Sequence, residues 1–159
     1  MTLAIVGILT AMAAPSFKSQ IAMARVRAGA QQLYTAAQFA RTTAQLTGRT
    51  VMLCPMTDFT AELPECGGHF GQAIAAMAVS REGNELLRVW FPPAGVTVTN
   101  RSGARSVTGA LVWDSQGLGS RNLTLSVCAL EHNWSVIMNR LGRPRLARDW
   151  GICPTDAGA

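Results

Sequence analysis

The chain has 159 residues, a length that allows one domain with a proper core. With 48% hydrophobic and 14% charged residues it is excluded from the disordered class. Its formal net charge is +5, and Lys18 is the only lysine among fourteen cationic side chains. The planar, bidentate guanidinium favours phosphate or carboxylate recognition, although the codon usage of a GC-rich genome gives the same bias, so composition alone does not name the partner.

Residues 1–17, MTLAIVGILTAMAAPSF, carry no charge, a run slightly short of the ~20 residues that span a bilayer as a helix. No basic segment precedes it and no convincing cleavage site follows, so a complete signal peptide fits poorly. From Lys18 the pattern stays helical but becomes one-sided. Val26, Ala30, Leu33, Ala37, Ala40 and Ala44 step by threes and fours into one apolar stripe, with Arg25, Gln32 and Arg41 off it. Gly48 reads as the C′ stop. A single helix from Met1 to about Thr47 would be about 70 Å long and kinked at Pro15, which removes a backbone donor. Three segments follow: 1–17 held in a membrane, 18–47 docked as an amphipathic helix, and a head at 48–159.

Beyond Gly48 the helical period gives way to short β-type runs at 49–55, 72–79, 86–91, 96–99, 106–114, 123–129 and 134–139. The stretches REGNE, FPPAG, NRSGA, DSQGLGS and NRLGRP punctuate them with turn residues. No βαβ alternation occurs, so the fold class is α+β: one long helix packed on antiparallel sheets.

Four cysteines stand at 54, 66, 128 and 153. None forms a CxxC pair, and Cys66 with His69 has no second clustered pair to complete a tetrahedral zinc site. Two disulfides in an oxidising compartment is the better reading. Order along the chain favours Cys54–Cys66 and Cys128–Cys153, with three pairings formally open. His69 and His132 stand alone, and no HExxH, GxSxG, Walker loop or GxGxxG occurs. The reading is of a non-enzyme without metal or cofactor.

The residues AIVGILTAMAAPSF, Ala4 to Phe17, resemble the N-terminal segment of type IV pilins and pseudopilins, whose apolar helix carries a Gly and a later Pro, as Gly7 and Pro15 do here. In that family a leader ending in Gly precedes an aromatic residue and an apolar run with one glutamate. The chain as it stands begins inside that helix, so the expectation is a truncated or misassigned start. The head narrows the likeness: VMLCP, a second Cys a dozen residues on, GNELLR, LVWDSQGLGS, and LTLSVC followed by a strand and GRPR resemble the GspH/FimT group of minor pilins. The resemblance implies an inner-membrane protein with a periplasmic head, assembled with major and other minor pilins into an extracellular fibre. In the FimT branch it also implies binding of double-stranded DNA during natural transformation through a C-terminal GRxR motif, here Gly142, Arg143, Pro144 and Arg145.

Four arginines, Arg140, Arg143, Arg145 and Arg148, crowd into nine positions of the segment NRLGRPRLARDW. Gly142 and Pro144 favour a turn after the 134–139 strand, lifting Arg143 and Arg145 off the sheet on one side of the chain. A Cys128–Cys153 link would tie the tail back and pre-order the arginines. Such a group engages duplex phosphates with little base preference. The competing readings are pilin–pilin contact, as in a GspH-type pseudopilin of type II secretion without DNA binding, and a solvated loop paired with Asp149. Arg101 and Arg105 would extend the basic surface if the fold brought them near. Trp150 reads as a core or disulfide-packing residue, with stacking on a base or an arginine as the alternative.

Overall fold

The computed structural model describes residues 2–58 and 65–154, with side chains of the first helix from Phe17 onward. Helix α1 (Thr2–Thr47) comes first, followed by β1 (Val51–Met56), β2 (Ala73–Val79), β3 (Asn84–Trp90), β4 (Thr97–Thr99), β5 (Leu111–Trp113), β6 (Leu123–Ala129), β7 (His132–Met138) and β8 (Pro144–Arg148). The strands form two antiparallel four-stranded sheets, ordered β3-β2-β1-β5 and β4-β6-β7-β8. The fold class is therefore α+β, one long helix on antiparallel sheets, as the residue pattern implies.

The six stripe residues of α1 are all buried, alongside Ala22 and Ala36. Most are alanines, so the helix backbone approaches the sheets closely, and a Cβ on Gly29 would already meet Val127 at 3.2 Å. The stripe docks on β1, β6 and β7, where Leu53, Ile74, Trp113, Leu125, Val127 and Val136 complete the core. The helix ends at Gly48, whose φ of +64° costs a residue without a side chain little. The helix continues through Pro15 as one element, and the membrane-held run expected at 1–17 concerns side chains that, before Phe17, lie outside the described residues. Among the described residues no helix is long and apolar enough to cross a membrane.

Strand β2 is buried along nearly its whole length, which explains why AIAAMAV shows no polar alternation. Its inner face joins the main core, while Ala75 and Met77 pack outward with Cys54 and Met56 in a second, smaller cluster. Two expected elements differ. The run 106–114 keeps only three residues as strand, because Gly109 turns the chain at φ +80° and Ser106 is left with a single bridge to Thr99. The segment 144–148 is not part of a turn but the edge strand β8, registered with Arg145 opposite Ile137 and Arg148 opposite Trp134. Pro144 does not prevent this, because a proline is tolerated as the first residue of an edge strand.

Candidate nucleic-acid interface

The turn that carries the arginines is Asn139–Gly142, closed by the Gly142 amide donating to the Asn139 carbonyl at 2.9 Å. Gly142 sits at φ +72°, and its carbonyl accepts a 3.0 Å hydrogen bond from the buried indole of Trp113. A neighbouring loop, Asp114–Gly119, braces the turn from the side. Asp114 caps that loop by accepting from the Gln116 and Leu118 amides, each at 2.9 Å, and Arg41 and Gln45 of α1 donate to its Gly117 and Gln116 carbonyls. The Gly119 amide then donates to the Arg140 carbonyl at 3.0 Å. The Arg140 amide donates to Asn122 Oδ1 at 2.9 Å and the Arg143 amide to Asn139 Oδ1 at 3.3 Å. The backbone from 139 to 143 is thus held on several sides, while the side chains of Arg140 and Arg143 point to solvent.

Arg145 is displayed differently from the sequence expectation. It is exposed on β8 itself, with Pro144 and Leu146 turned inward, so a strand rather than a mobile loop fixes its direction. Arg140, Gly142, Arg143 and Arg145 are brought together at one end of β7 and β8. Arg148 lies at the other end of β8 and pairs with Asp149 at 3.2 Å, a surface ion pair that partly neutralises it. Among the described residues no carboxylate stands within ion-pair distance of Arg140, Arg143 or Arg145. Arg105 is exposed in the 100–106 loop, its amide donating to Asn100 Oδ1 at 3.4 Å.

After β8 the chain reverses at Asp149, which has a positive φ of 52°, and runs back over the outer face of the β4-β6-β7-β8 sheet. Asn133, 5% exposed, holds this tail: its carbonyl accepts from the Asp149 amide at 3.2 Å and its Oδ1 from the Gly151 amide at 3.0 Å. Gly151 rests on Ser126 and Ser135, where a Cβ would collide with both hydroxyls. The tail is then pinned by the Cys128–Cys153 disulfide, while Cys54 is linked to Cys66. Cys66 is thereby unavailable as a thiolate ligand, and the described residues hold no group of side chains suited to a metal. Trp150 is not a core residue. It is 43% exposed, with the guanidinium groups of Arg101 and Arg145 over its ring at 4.7 and 5.5 Å. Its place follows from the reversal at Asp149, which turns it away from the buried face. Asn122, Asn133 and Asn139, which orient this whole region, carry no sequence signal beyond being turn-prone and, for Asn122 and Asn133, opening the triplets NLT and NWS.

The disulfide closes a loop of 25 residues, so replacing Cys128 and Cys153 with serine is expected to lower stability by about 3 kcal/mol. The readout is the urea midpoint of the oxidised protein against the double variant; coincident midpoints would mean that the tail is held without the link.

The family model described as Type II transport protein GspH matches residues 29–142. No curated protein matches the sequence. Similar solved structures include the type IV minor pilin FimU of Pseudomonas aeruginosa, 18% identical over 77% of this chain and 87% of that one, with a TM-score of 0.58. The minor pseudopilin EpsH of the Vibrio cholerae type II secretion system is 14% identical over 78% of this chain and 97% of that one, with a TM-score of 0.56. At these identities the likeness is one of fold.

Proposed function

The chain belongs to the GspH family and is a minor pilin or pseudopilin, and on that premise we propose that its head binds extracellular double-stranded DNA for uptake in natural transformation. One observation carries the reading: Arg140, Arg143 and Arg145 are exposed, free of carboxylate partners among the described residues, and displayed from a backbone already fixed by hydrogen bonds. Fixed cations lose little freedom on binding. Phosphate oxygens match the guanidinium fork, and releasing the counterions condensed on a duplex supplies the driving force. In this reading residues 1–17 hold the chain in the inner membrane before assembly, the head lies in the periplasm, and the protein joins major and other minor pilins in an extracellular fibre. The two disulfides agree with that compartment. The protein works by binding and assembly, not as an enzyme.

A second reading has its own observation. Strand β8 is a sheet edge, and arginines with a leading proline also serve to stop strand addition there. A structural pseudopilin of type II secretion would need nothing more from them.

Fluorescence anisotropy with the full chain in uncharged detergent and two labelled duplexes of unrelated sequence tests the proposal. At low salt the expected dissociation constant is about 1–100 μM, and the same for both duplexes. No association with either duplex leaves the edge-guarding reading in its place.

A further inference from the structure

Arg101 lies 44 residues before Arg145 in the chain, yet both guanidinium groups lie over the Trp150 ring, which bounds their separation at about 10 Å. The arrangement is built, not incidental. The Ile152 amide donates to the Arg101 carbonyl at 2.9 Å, and Gly103 packs so tightly on the backbone of Ile152 and Cys153 that a Cβ would come within 2.6 Å of the Ile152 carbonyl. The loop after β4 and the disulfide-pinned tail are therefore one unit, with one indole in contact with two cations that would otherwise repel. Cation–π attraction offsets that repulsion and leaves the guanidinium edges available to an anion.

Beside this unit an open groove of about 480 Å³ crosses the outer face of β6 and β7, its lining including Arg101, Asn122, Leu123, Thr124, Ile137 and Met138. Its lining connects to the arginines already described: Arg101 is part of it, Asn122 accepts from the Arg140 amide, and Ile137 is the cross-strand neighbour of Arg145. The exposed lining is mainly apolar, from Leu123, Ile137 and Met138. Its polar groups are the uncharged amides of Asn100 and Asn122 and hydroxyls of Ser102 and Thr124, so phosphates are left to the arginines at its margin while the sugars lie along the apolar lining.

We propose that this groove seats the sugar–phosphate backbone of the DNA, with Arg101 as a phosphate contact and Trp150 as the positioning residue that holds Arg101 and Arg145 in one binding surface. This rests on the DNA-binding reading above and extends it to a loop outside the arginine cluster. Trp150 is not assigned as a platform for bases, because guanidinium groups already lie over its ring.

The test uses the full chain in uncharged detergent, duplex anisotropy across a salt series, and urea unfolding of each variant. Arg101→Ala is expected to weaken binding about tenfold and to flatten the log-log salt dependence by about one unit. Trp150→Leu keeps every charge, yet is expected to weaken binding three- to tenfold, while Trp150→Phe restores most of it because a ring remains. The double variant Arg101→Ala/Trp150→Leu should be less impaired than the product of the single effects, the signature of two residues acting as one unit. Urea midpoints within error of the parent exclude a merely structural loss; if Trp150→Leu unfolds, Arg101→Ala alone decides. Wild-type-like binding by Arg101→Ala in a chain whose Arg143→Ala and Arg145→Ala variants are impaired overturns this inference and leaves the DNA reading standing. A parent chain that binds no duplex overturns both.

Discussion

Replacing Arg143 and Arg145 together with alanine is expected to weaken duplex binding about a hundredfold while the head stays folded. Each guanidinium is exposed, so truncation removes few core contacts. A charge-assisted hydrogen bond contributes at least about 1.5 kcal/mol, which is tenfold in affinity per arginine. In a competent host the same double variant should lose transformation while fibres still assemble. Arg143→Lys is a finer probe, since it retains the charge and loses the fork, and a partial loss is expected. If the arginines instead contact neighbouring pilins, the pattern reverses: duplex affinity survives the double substitution and assembly or secretion fails.

Gly142→Ala is expected to be the more damaging single change, for a reason unrelated to DNA. A Cβ there would overlap the Gly117 carbonyl oxygen and come within 2.9 Å of the Trp113 ring, in a backbone held at φ +72°. The left-handed conformation and the overlap each cost on the order of 1–3 kcal/mol. The turn must move, taking Arg140 and Arg143 with it, so both the urea midpoint and duplex affinity should fall. Gly142→Asn separates the two causes. Asparagine tolerates positive φ but still brings a Cβ, so a large loss in that variant assigns the damage to the close approach. A Gly142→Ala protein as stable as the parent would show that the turn has room to relax. On this account the glycine of the GRPR segment is a packing requirement, and the arginines alone face the ligand.

Much of the scaffold was legible from the residues. The α1 stripe is readable because a helix docked on a sheet must repeat its buried positions every three or four residues, and every stripe residue from Val26 to Ala44 is buried. Gly48 is readable because few residues other than glycine close a helix at positive φ. The strand at 144–148 was not, because Gly142 and Pro144 are turn signals and nothing local shows that the turn ends at Gly142. Only the register against β7 turns the rest of the segment into an edge strand. The part played by the DSQGLGS loop was hidden for a similar reason. Its glycines read as turn residues, and the loop does close with Gly119 opposite Trp113, but they also let one loop press against another, Gly117 and Gly119 against Gly142 and Asn139. Trp150 is not legible as an exposed residue, because an aromatic side chain near a disulfide commonly packs inward, whereas the reversal at Asp149 turns this one out against two arginines. The meeting of Arg101 with Arg145 has no local signature at all. The family match ends at Gly142, so the arginines beyond it rest on their own geometry and charge.

The most direct test of the central claim is the slope of log affinity against log salt for the unmodified full chain on a duplex of arbitrary sequence. Three to four arginines on phosphates predict a slope of about −3, unchanged when the sequence is scrambled. A slope flatter than about −1, or one that depends on sequence, would contradict a phosphate-reading surface.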